Sequence, residues 1–326
     1  MLTPSDIYLI LVIAIVLALI WHVLVGDNKS NYPHLKQINR SIKAIHHQLP
    51  PALIRSFSES VDPTKIFNPS ERNPVIATNK LAIQLIRYLK LPYCRVFVSF
   101  KAGLPCAGRV ELTSSNDYFV ELKSQHKNNP IEIAGIIAHE ITHILLYRER
   151  LWFPIELENE LLTDTTSAYL GVGWLTLNAY SAFTTIGASS SKTIHVEHKL
   201  GYLTPAEFGY VLGKRALWFK EQSGQFLTSP AAKRAFKKGF RKACAAYNQA
   251  PLEDRSLLAS WLYHWNLYIH QKQRLSALKL GGANYKFEAE KIVFDCPACS
   301  QKLRLPIQKT VTATCSSCKS QLKCKT

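Results

Sequence analysis

An apolar stretch, "IIAHEITHILL" at 136–146, contains two histidines and a glutamate within five consecutive residues. If the stretch is helical, His139 and His143 project from one face, one turn apart. Their ring nitrogens can then bind one tetrahedral Zn²⁺ at distances of about 2.0–2.1 Å. Glu140 lies on the adjacent helix surface, within reach of a water at the metal. About 0.02 such patterns are expected by chance from this His and Glu content, and an ordinary helix with core or solvated histidines is the alternative.

The third ligand decides the class of zinc site. The metzincin pattern requires Gly and His three and six residues after the second histidine, but these positions hold Leu146 and Glu149. That pattern is therefore excluded. Downstream, "NELLTD" at 159–164 offers the Glu160 carboxylate as a ligand. Asp164 lies one turn later, where it can accept a hydrogen bond from the non-ligating N–H of a histidine and fix its tautomer.

Two neighbouring glutamates are rival third ligands. Glu158 is followed by Leu162 at the four-residue spacing, so it lacks an acidic partner for the histidine. Glu156 has Glu160 at that spacing and is the second choice.

The two motifs together, HEITH and NELLTD, resemble the gluzincins, the thermolysin-like zinc metallopeptidases with an Asn-Glu-x-x-Ser-Asp motif. Thr163 stands where that family usually has Ser. The Glu-x-x-x-Asp spacing is also similar to that of membrane-embedded metallopeptidases that process prenylated or stress-damaged membrane proteins. The resemblance covers roughly residues 75–185. It implies a small zincin core and peptide hydrolysis by a zinc-activated water, with Glu140 as general base and later proton donor.

The same resemblance implies a His or Tyr that steadies the oxyanion. By position alone, His195, His198, Tyr202 and Tyr210 are the candidates, and for each a packing or surface role is the alternative. The analogy further predicts that one strand before the active helix, 117–123, pairs with an extended substrate.

The segments around these motifs predict a mixed α+β scaffold that is mostly helical. A helix is expected from Pro74 to Lys90, followed by antiparallel strands at 94–100, 108–112 and 117–123. Asn129 and Pro130 then open the active helix. A second helix is expected to begin after Pro154 and to continue through "IELENELLTDTTSAYLGVGWLTLNAY" as one buried core helix.

Later segments also carry helix signals. Thr204, Pro205 and Glu207 predict a capping box at the start of another helix. Residues 231–280 predict two more helices, the first heavily basic, and Gly281-Gly282 ends them.

Five of the eight cysteines fall in the last 31 residues. "CPAC" at 296–299 and "CSSC" at 315–318 predict a four-cysteine structural zinc site that resembles a zinc ribbon, made by Cys296, Cys299, Cys315 and Cys318. Protein contact or a purely structural role is the favoured reading of this ribbon. Nucleic acid is disfavoured because no aromatic base-stacking residue stands between the knuckles.

Residues 7–25 form an apolar run in which His22 is the only side chain that can carry a charge. The run is long enough to span a bilayer, and a retained anchor is favoured over a cleavable signal peptide. Lys29, Lys36, Arg40 and Lys43 follow it, which predicts a single-pass protein with its catalytic domain and ribbon in the cytoplasm. Clustered cysteines agree with a reducing compartment.

The chain has 40 Lys and Arg against 23 Asp and Glu, a net charge of +17. This excess favours an acidic partner, either nucleic acid or an anionic lipid surface. In the basic helix at 231–247 the charges group on one face, which is a solvated surface by default and a lipid-attracting surface as the alternative. An apolar seam at 35–49 predicts a juxtamembrane helix that packs on its own domain, with a homo-dimer as the alternative.

The predicted organisation has five parts: an anchor (1–26), a juxtamembrane helix and linker (27–73), a zincin-like domain (74–225), a helical extension (226–290) and a zinc ribbon (291–326). The function it predicts is that of a membrane-anchored metallopeptidase with one catalytic and one structural Zn²⁺. Its partners would be a peptide or protein substrate and the bilayer. The alternatives are an inactive membrane-tethered scaffold and a ribbon-based nucleic-acid-binding or adaptor protein.

Overall fold

The computed structural model describes residues 31–66, 71–113, 115–186, 193–198, 200–222, 224–272, 284–307 and 310–326, and only the backbone for 181–186 and 193–198. These residues form a mixed helix and sheet structure, which confirms the α+β prediction. The helices are α1 (Leu35–Gln48), α2 (Pro51–Arg55), α3 (Pro63–Ile66), α4 (Pro74–Tyr88), α5 (Pro130–Arg148), α6 (Glu156–Tyr169), α7 (Trp174–Ala179), α8 (Pro205–Phe219), α9 (Pro230–Tyr247) and α10 (Leu257–Gln271). The strands are β1 (Arg95–Lys101), β2 (Gly108–Glu111), β3 (Asp117–Lys123), β4 (Ser181–Ile186), β5 (Thr193–His198), β6 (Tyr285–Glu288), β7 (Lys291–Asp295), β8 (Lys302–Pro306), β9 (Val311–Thr314) and β10 (Gln321–Cys324).

The predicted membrane span at 7–25 and the Gly281-Gly282 break lie outside the described residues. Within the described part of the chain, every helix is too short or too polar to cross a bilayer.

Helix starts follow the local signals in the sequence. The Asn129 side chain accepts a hydrogen bond from the Glu132 backbone N–H at 3.2 Å, and Pro130 occupies the first turn of α5. At α8, Thr204 and Glu207 form the predicted capping box, in which each side chain accepts from the backbone N–H of the other residue. These caps satisfy N–H groups that have no partner inside a helix, so the helices begin where the sequence predicts.

The single long helix predicted after Pro154 is wrong, because the chain turns between α6 and α7. Gly171 has a φ of +95°, a conformation that side chains with a Cβ rarely adopt. A Cβ at this position would lie 2.6 Å from Tyr88 Oη and 2.9 Å from the Arg215 guanidinium carbon. The glycine therefore permits both the turn and the close approach of two side chains, and α7 packs back against α5.

Strands β1, β3 and β2 form a sheet in that order, and the prediction of antiparallel strands throughout is wrong for one pair. β3 runs parallel to β1 and antiparallel to β2. β2 lies at the far edge of the sheet and runs opposite to β1, so the antiparallel connection from β2 to β3 brings β3 back into the direction of β1. β3 is thus the central strand, and both of its edges are already paired.

The apolar seam of α1 is buried inside the chain. Ile38, Ile42 and Ile45 are fully buried and Leu49 nearly so, and α1 packs against α6. The segment that follows the predicted anchor therefore belongs to the same core as the two motif-bearing helices.

Arg215 of α8 is a fully buried cation that ties three parts of the chain together. Its Nε donates to Glu221 at 2.7 Å and to Ser60 Oγ at 3.1 Å. Its two terminal nitrogens donate to the carbonyl of Tyr169 at 2.9 Å and to that of Phe57 at 2.6 Å. Since buried charge is tolerated only when it is paired, this network holds the end of α6 in place.

We predict that Arg215→Met lowers the free energy of unfolding by about 3–5 kcal/mol, because it leaves the Glu221 carboxylate and two carbonyls without this donor in the interior. Urea unfolding followed by circular dichroism measures the change. Arg95→Met is the matched control, since Arg95 pairs with Asp117 at 2.6 Å but its side chain is 72% exposed. The free energy of unfolding of Arg95→Met should fall by less than about 1 kcal/mol. An equal decrease in the two variants would contradict the assigned role of Arg215.

Candidate metal centre and cleft

His139, His143 and Glu160 bring three potential metal-binding atoms together between α5 and α6. His139 Nε2 lies 3.0 Å from His143 Nε2 and 3.0 Å from Glu160 Oε2. His143 Nε2 lies 3.3 Å from the same carboxylate oxygen. Ligands on a tetrahedral zinc at about 2.0–2.1 Å stand about 3.3 Å apart. The triangle of atoms therefore has nearly the dimensions that one small cation requires.

The ring orientation of His139 is set by Asp164, as the sequence predicts. His139 Nδ1 lies 2.7 Å from Asp164 Oδ1. The second oxygen of this fully buried carboxylate accepts from the backbone N–H groups of Tyr202, at 2.5 Å, and Leu203, at 3.0 Å. A carboxylate held in this way is an acceptor, so Nδ1 carries the proton and Nε2 presents its lone pair to the cluster.

His143 is oriented by a hydroxyl, a role that the sequence reading did not assign. Thr163 Oγ1 donates its proton to the Asn159 carbonyl at 3.0 Å. The same oxygen lies 3.2 Å from His143 Nδ1, so it can only accept there. Nδ1 is then the protonated nitrogen, and the Nε2 lone pair of His143 also points at the cluster.

Three lone-pair donors thus converge on one point, which is an unfavourable arrangement unless a positive charge lies between them. Burial by itself lowers the pKa of His139, but Asp164 and Glu160 outweigh it and raise that pKa well above its ordinary value. Burial opposes ionisation of Glu160, yet the two histidines lower its pKa to about 2. The chemistry of the donor set therefore fits a divalent metal ion, and two imidazoles with one carboxylate match a zinc site.

Glu140 lies beside this cluster and is 5% exposed. Burial raises the pKa of its carboxyl, against the neighbouring histidines, which lower it. A Cβ at Gly108 would lie 3.0 Å from Glu140 Oε1 and 2.5 Å from Ile136 Cγ2. The absence of a side chain at Gly108 lets β2 pass close to the active helix and leaves room for the Glu140 carboxylate.

The cluster opens into a cleft of about 670 Å³ between α5, the start of α6 and β2. Gly108, Arg109 and Val110 of β2 line it together with His139, Glu140 and Glu160. β2 pairs with β3 on one side, and no other described strand pairs with its second edge. The prediction that 117–123 meets the substrate is therefore wrong, because β3 is central and β2 is the edge strand at the cleft.

The rival third ligands and the oxyanion candidate Tyr210 lie outside the cluster of His139, His143 and Glu160. Glu158 forms an ion pair with Arg40 at 2.8 Å, and Glu156 lines the cleft outside the metal-binding group. Tyr210 is buried and its hydroxyl donates to Asn39 at 3.1 Å, outside the residues that line the cleft.

Tyr202 is the oxyanion candidate that the structure brings to the cluster. Its ring stacks over that of His139 with centroids 6.2 Å apart. Burial, together with the Glu160 and Asp164 carboxylates, raises the pKa of its hydroxyl. His195 and His198 lie on β5, where their backbones pair with Thr184 and Ser181, and their side chains are outside the described part.

Cys296, Cys299, Cys315 and Cys318 form a second group that could hold a metal ion. Cys296 Sγ lies 3.7 Å from Cys318 Sγ, and Cys299 Sγ lies 3.5 Å from Cys315 Sγ. Sulfurs around a tetrahedral zinc at about 2.3 Å are about 3.8 Å apart, so the buried cluster fits one ion. In each knuckle the backbone N–H of the first cysteine donates to a carbonyl beyond the second, at 2.8 Å to Gln301 and 2.9 Å to Ser320.

Comparison with protein-family models, curated proteins and solved structures gives no match for this chain.

We predict that the purified chain binds two divalent ions and that the two sites empty independently. His143→Ala should remove one ion per chain because it deletes a ligand of the first group, and Cys315→Ser should remove the other. Inductively coupled plasma mass spectrometry of protein kept under reducing conditions measures both. Unchanged metal content in either variant would eliminate the corresponding site.

We further predict that Thr163→Val weakens metal binding at the His-His-Glu group by about 10–100-fold, because the buried hydroxyl no longer orients His143. Competition with a chromogenic chelator measures the affinity. Thr163→Ser keeps the hydroxyl and serves as the control, so its affinity should stay close to that of the original chain. Equal weakening in both variants would contradict the role assigned to the hydroxyl, because Thr163→Ser retains it.

Proposed function

We propose that this chain is a zinc-dependent metallopeptidase of the gluzincin type. The observation that carries the proposal is the convergence of three metal-binding atoms beside a buried glutamate, at the wall of an open cleft. Catalytic zinc sites use three protein ligands and keep a fourth position open, whereas structural sites are closed by four. The two clusters of this chain have these two contrasting ligand counts.

The protein residues have separable roles in the proposed reaction. His139, His143 and Glu160 would hold the metal, and Asp164 and Thr163 would keep the two imidazoles in their ligating tautomers. A bound zinc would polarise the scissile carbonyl and increase the acidity of water. Glu140 would accept the proton of the attacking water and return it to the leaving amine.

Tyr202 is our choice for the group that steadies the oxyanion. It lines the cleft and stacks on His139, whereas the hydroxyl of Tyr210 is directed at Asn39. Its hydroxyl can donate a hydrogen bond to negative charge that develops on the substrate carbonyl.

The substrate would bind as an extended strand along β2. A peptide added to a sheet edge gains backbone hydrogen bonds that do not depend on its side chains. Gly108, Arg109 and Val110 of β2 line the same cleft as Glu140, so such a peptide would pass the metal group.

The zinc ribbon would have a structural role, packed against the helices of the same chain. Its Gln301 side chain lies 3.1 Å from His47 of α1, and Leu252 forms a β-bridge with Cys324. Its sulfurs are buried in a core shared with the helices. We retain the single-pass membrane location, with catalytic domain and ribbon in the cytoplasm, as part of the proposal.

We predict that Glu140→Gln lowers peptide hydrolysis by about 10²–10⁴-fold, because the amide cannot accept the proton from water. A peptide library digested by the full chain and analysed by mass spectrometry measures cleavage, and metal analysis of the same sample should show unchanged content. Glu158→Gln is the matched control because Glu158 pairs with Arg40 away from the cleft. Unchanged turnover in Glu140→Gln would overturn the proposal.

A further inference from the structure

Helix α10 presents a continuous apolar surface to solvent. Leu257, Leu258, Trp261, Trp265 and Tyr268 are 91%, 67%, 59%, 43% and 52% exposed. At about 100° per residue these five side chains fall within an arc of about 100°, so they share one helix face. We call these five residues the aromatic face of α10. Exposed apolar surface of this kind marks an interaction site more often than isolated apolar residues do.

The opposite face of α10 is firmly packed, so the aromatic face has a defined orientation. Tyr263 is fully buried, and its ring lies 5.4 Å from that of Tyr285 and 5.7 Å from that of Phe287. Asn266 donates to the Tyr285 hydroxyl at 3.0 Å, and His270 Nε2 lies 2.8 Å from the Ala289 carbonyl. Contacts with β6 thus cover one side of α10, and the opposite side faces solvent.

The C-terminal part of the chain that contains this helix has a strongly positive net charge. Residues 231–326 contain 18 Lys and Arg against five Asp and Glu, a net +13 of the +17 carried by the whole chain. Five exposed cations lie on α9, which ends just before α10: Lys233, Arg234, Lys237, Lys238 and Arg241. α10 itself contains no Asp, Glu, Lys or Arg. Lys272, which directly follows α10, lies with its ammonium group 6.0 Å from the centroid of the Tyr268 ring. An uncharged Leu, Trp and Tyr surface bordered by this cation, in a strongly basic part of the chain, is complementary to an anionic bilayer surface.

We propose that the aromatic face of α10 docks into the headgroup region of an anionic lipid bilayer. Trp and Tyr favour this region because an apolar ring and a polar edge are both accommodated there. Leu257 and Leu258 would enter the boundary of the acyl chains, while Lys272 and the net positive charge of this part of the chain would attract the lipid phosphates. This contact is separate from the predicted span at 7–25 and from the cleft.

The observations disfavour two other occupants. Single-stranded nucleic acid stacks bases on free aromatic faces, but Trp261 and Trp265 stack on each other, with centroids 6.1 Å apart and an interplanar angle of 17°. The most exposed members of the face are aliphatic leucines. A second copy of the chain would bring two strongly basic C-terminal regions together, and their repulsion opposes that contact.

The test is quenching of tryptophan emission in the full chain by vesicles of phosphatidylcholine and phosphatidylserine with brominated acyl chains. We expect strong quenching, of which Trp261→Phe with Trp265→Phe removes the part that these two residues contribute. We expect that part to be larger for bromines near the headgroups than for bromines near the chain ends. Trp152→Phe is the control, because Trp152 is 60% exposed outside α10. Comparing variants isolates the α10 contribution from that of Trp21 in the predicted span.

A second variant changes the contact rather than the probe. Leu257→Ser with Leu258→Ser keeps both tryptophans. In this variant we expect less quenching of the tryptophan emission by the vesicles and a smaller blue shift of that emission on adding them. The circular dichroism spectrum should stay unchanged. Quenching that is equal in the original chain and the Trp261/Trp265 double variant would overturn the proposal. An emission change on adding a single-stranded oligonucleotide but not vesicles would replace it with nucleic-acid binding. Self-association that the leucine variant abolishes would replace it with a dimer contact.

Discussion

The geometry of the cleft depends on the hydrogen bonds of the Asp164 carboxylate. One oxygen orients His139 of α5, and the other accepts hydrogen bonds from the backbone N–H groups of Tyr202 and Leu203 in the loop before α8. Both oxygens of this buried carboxylate therefore have hydrogen-bond partners, as a buried polar group requires. A single side chain of α6 therefore couples the metal group, the loop that carries Tyr202 and the helix that contains Arg215.

The far end of α6 is held by the second buried network. Arg215 donates to the carbonyl of Tyr169, the last residue of α6, while Gly171 gives the chain room to turn beneath it. The glutamate helix is thus held at Asp164 and at its C-terminus by groups that are both buried and fully paired. This rigidity suits a site in which each of three potential ligand atoms must keep its position to within about 0.5 Å.

Much of the candidate site could be read from local patterns. The four-residue spacing of His139 and His143 and that of Glu160 and Asp164 each depend only on helix geometry. The same holds for the two cysteine knuckles, whose tight turns are local. The role of Thr163 is not encoded in this way, because the contact of a hydroxyl with a histidine leaves no signal in spacing alone.

The sequence by itself determined the helix starts, the types of the candidate ligands and the spacing within each histidine, carboxylate and cysteine pair, since caps and turn spacings act over a few residues. Only the tertiary structure decided that β3 is central, that β2 borders the cleft and that α6 ends at Tyr169, before the turn at Gly171. It also decided which side of α10 faces outward. Those features depend on which distant segments pack together, and residues far apart in the chain meet through contacts that no local pattern encodes.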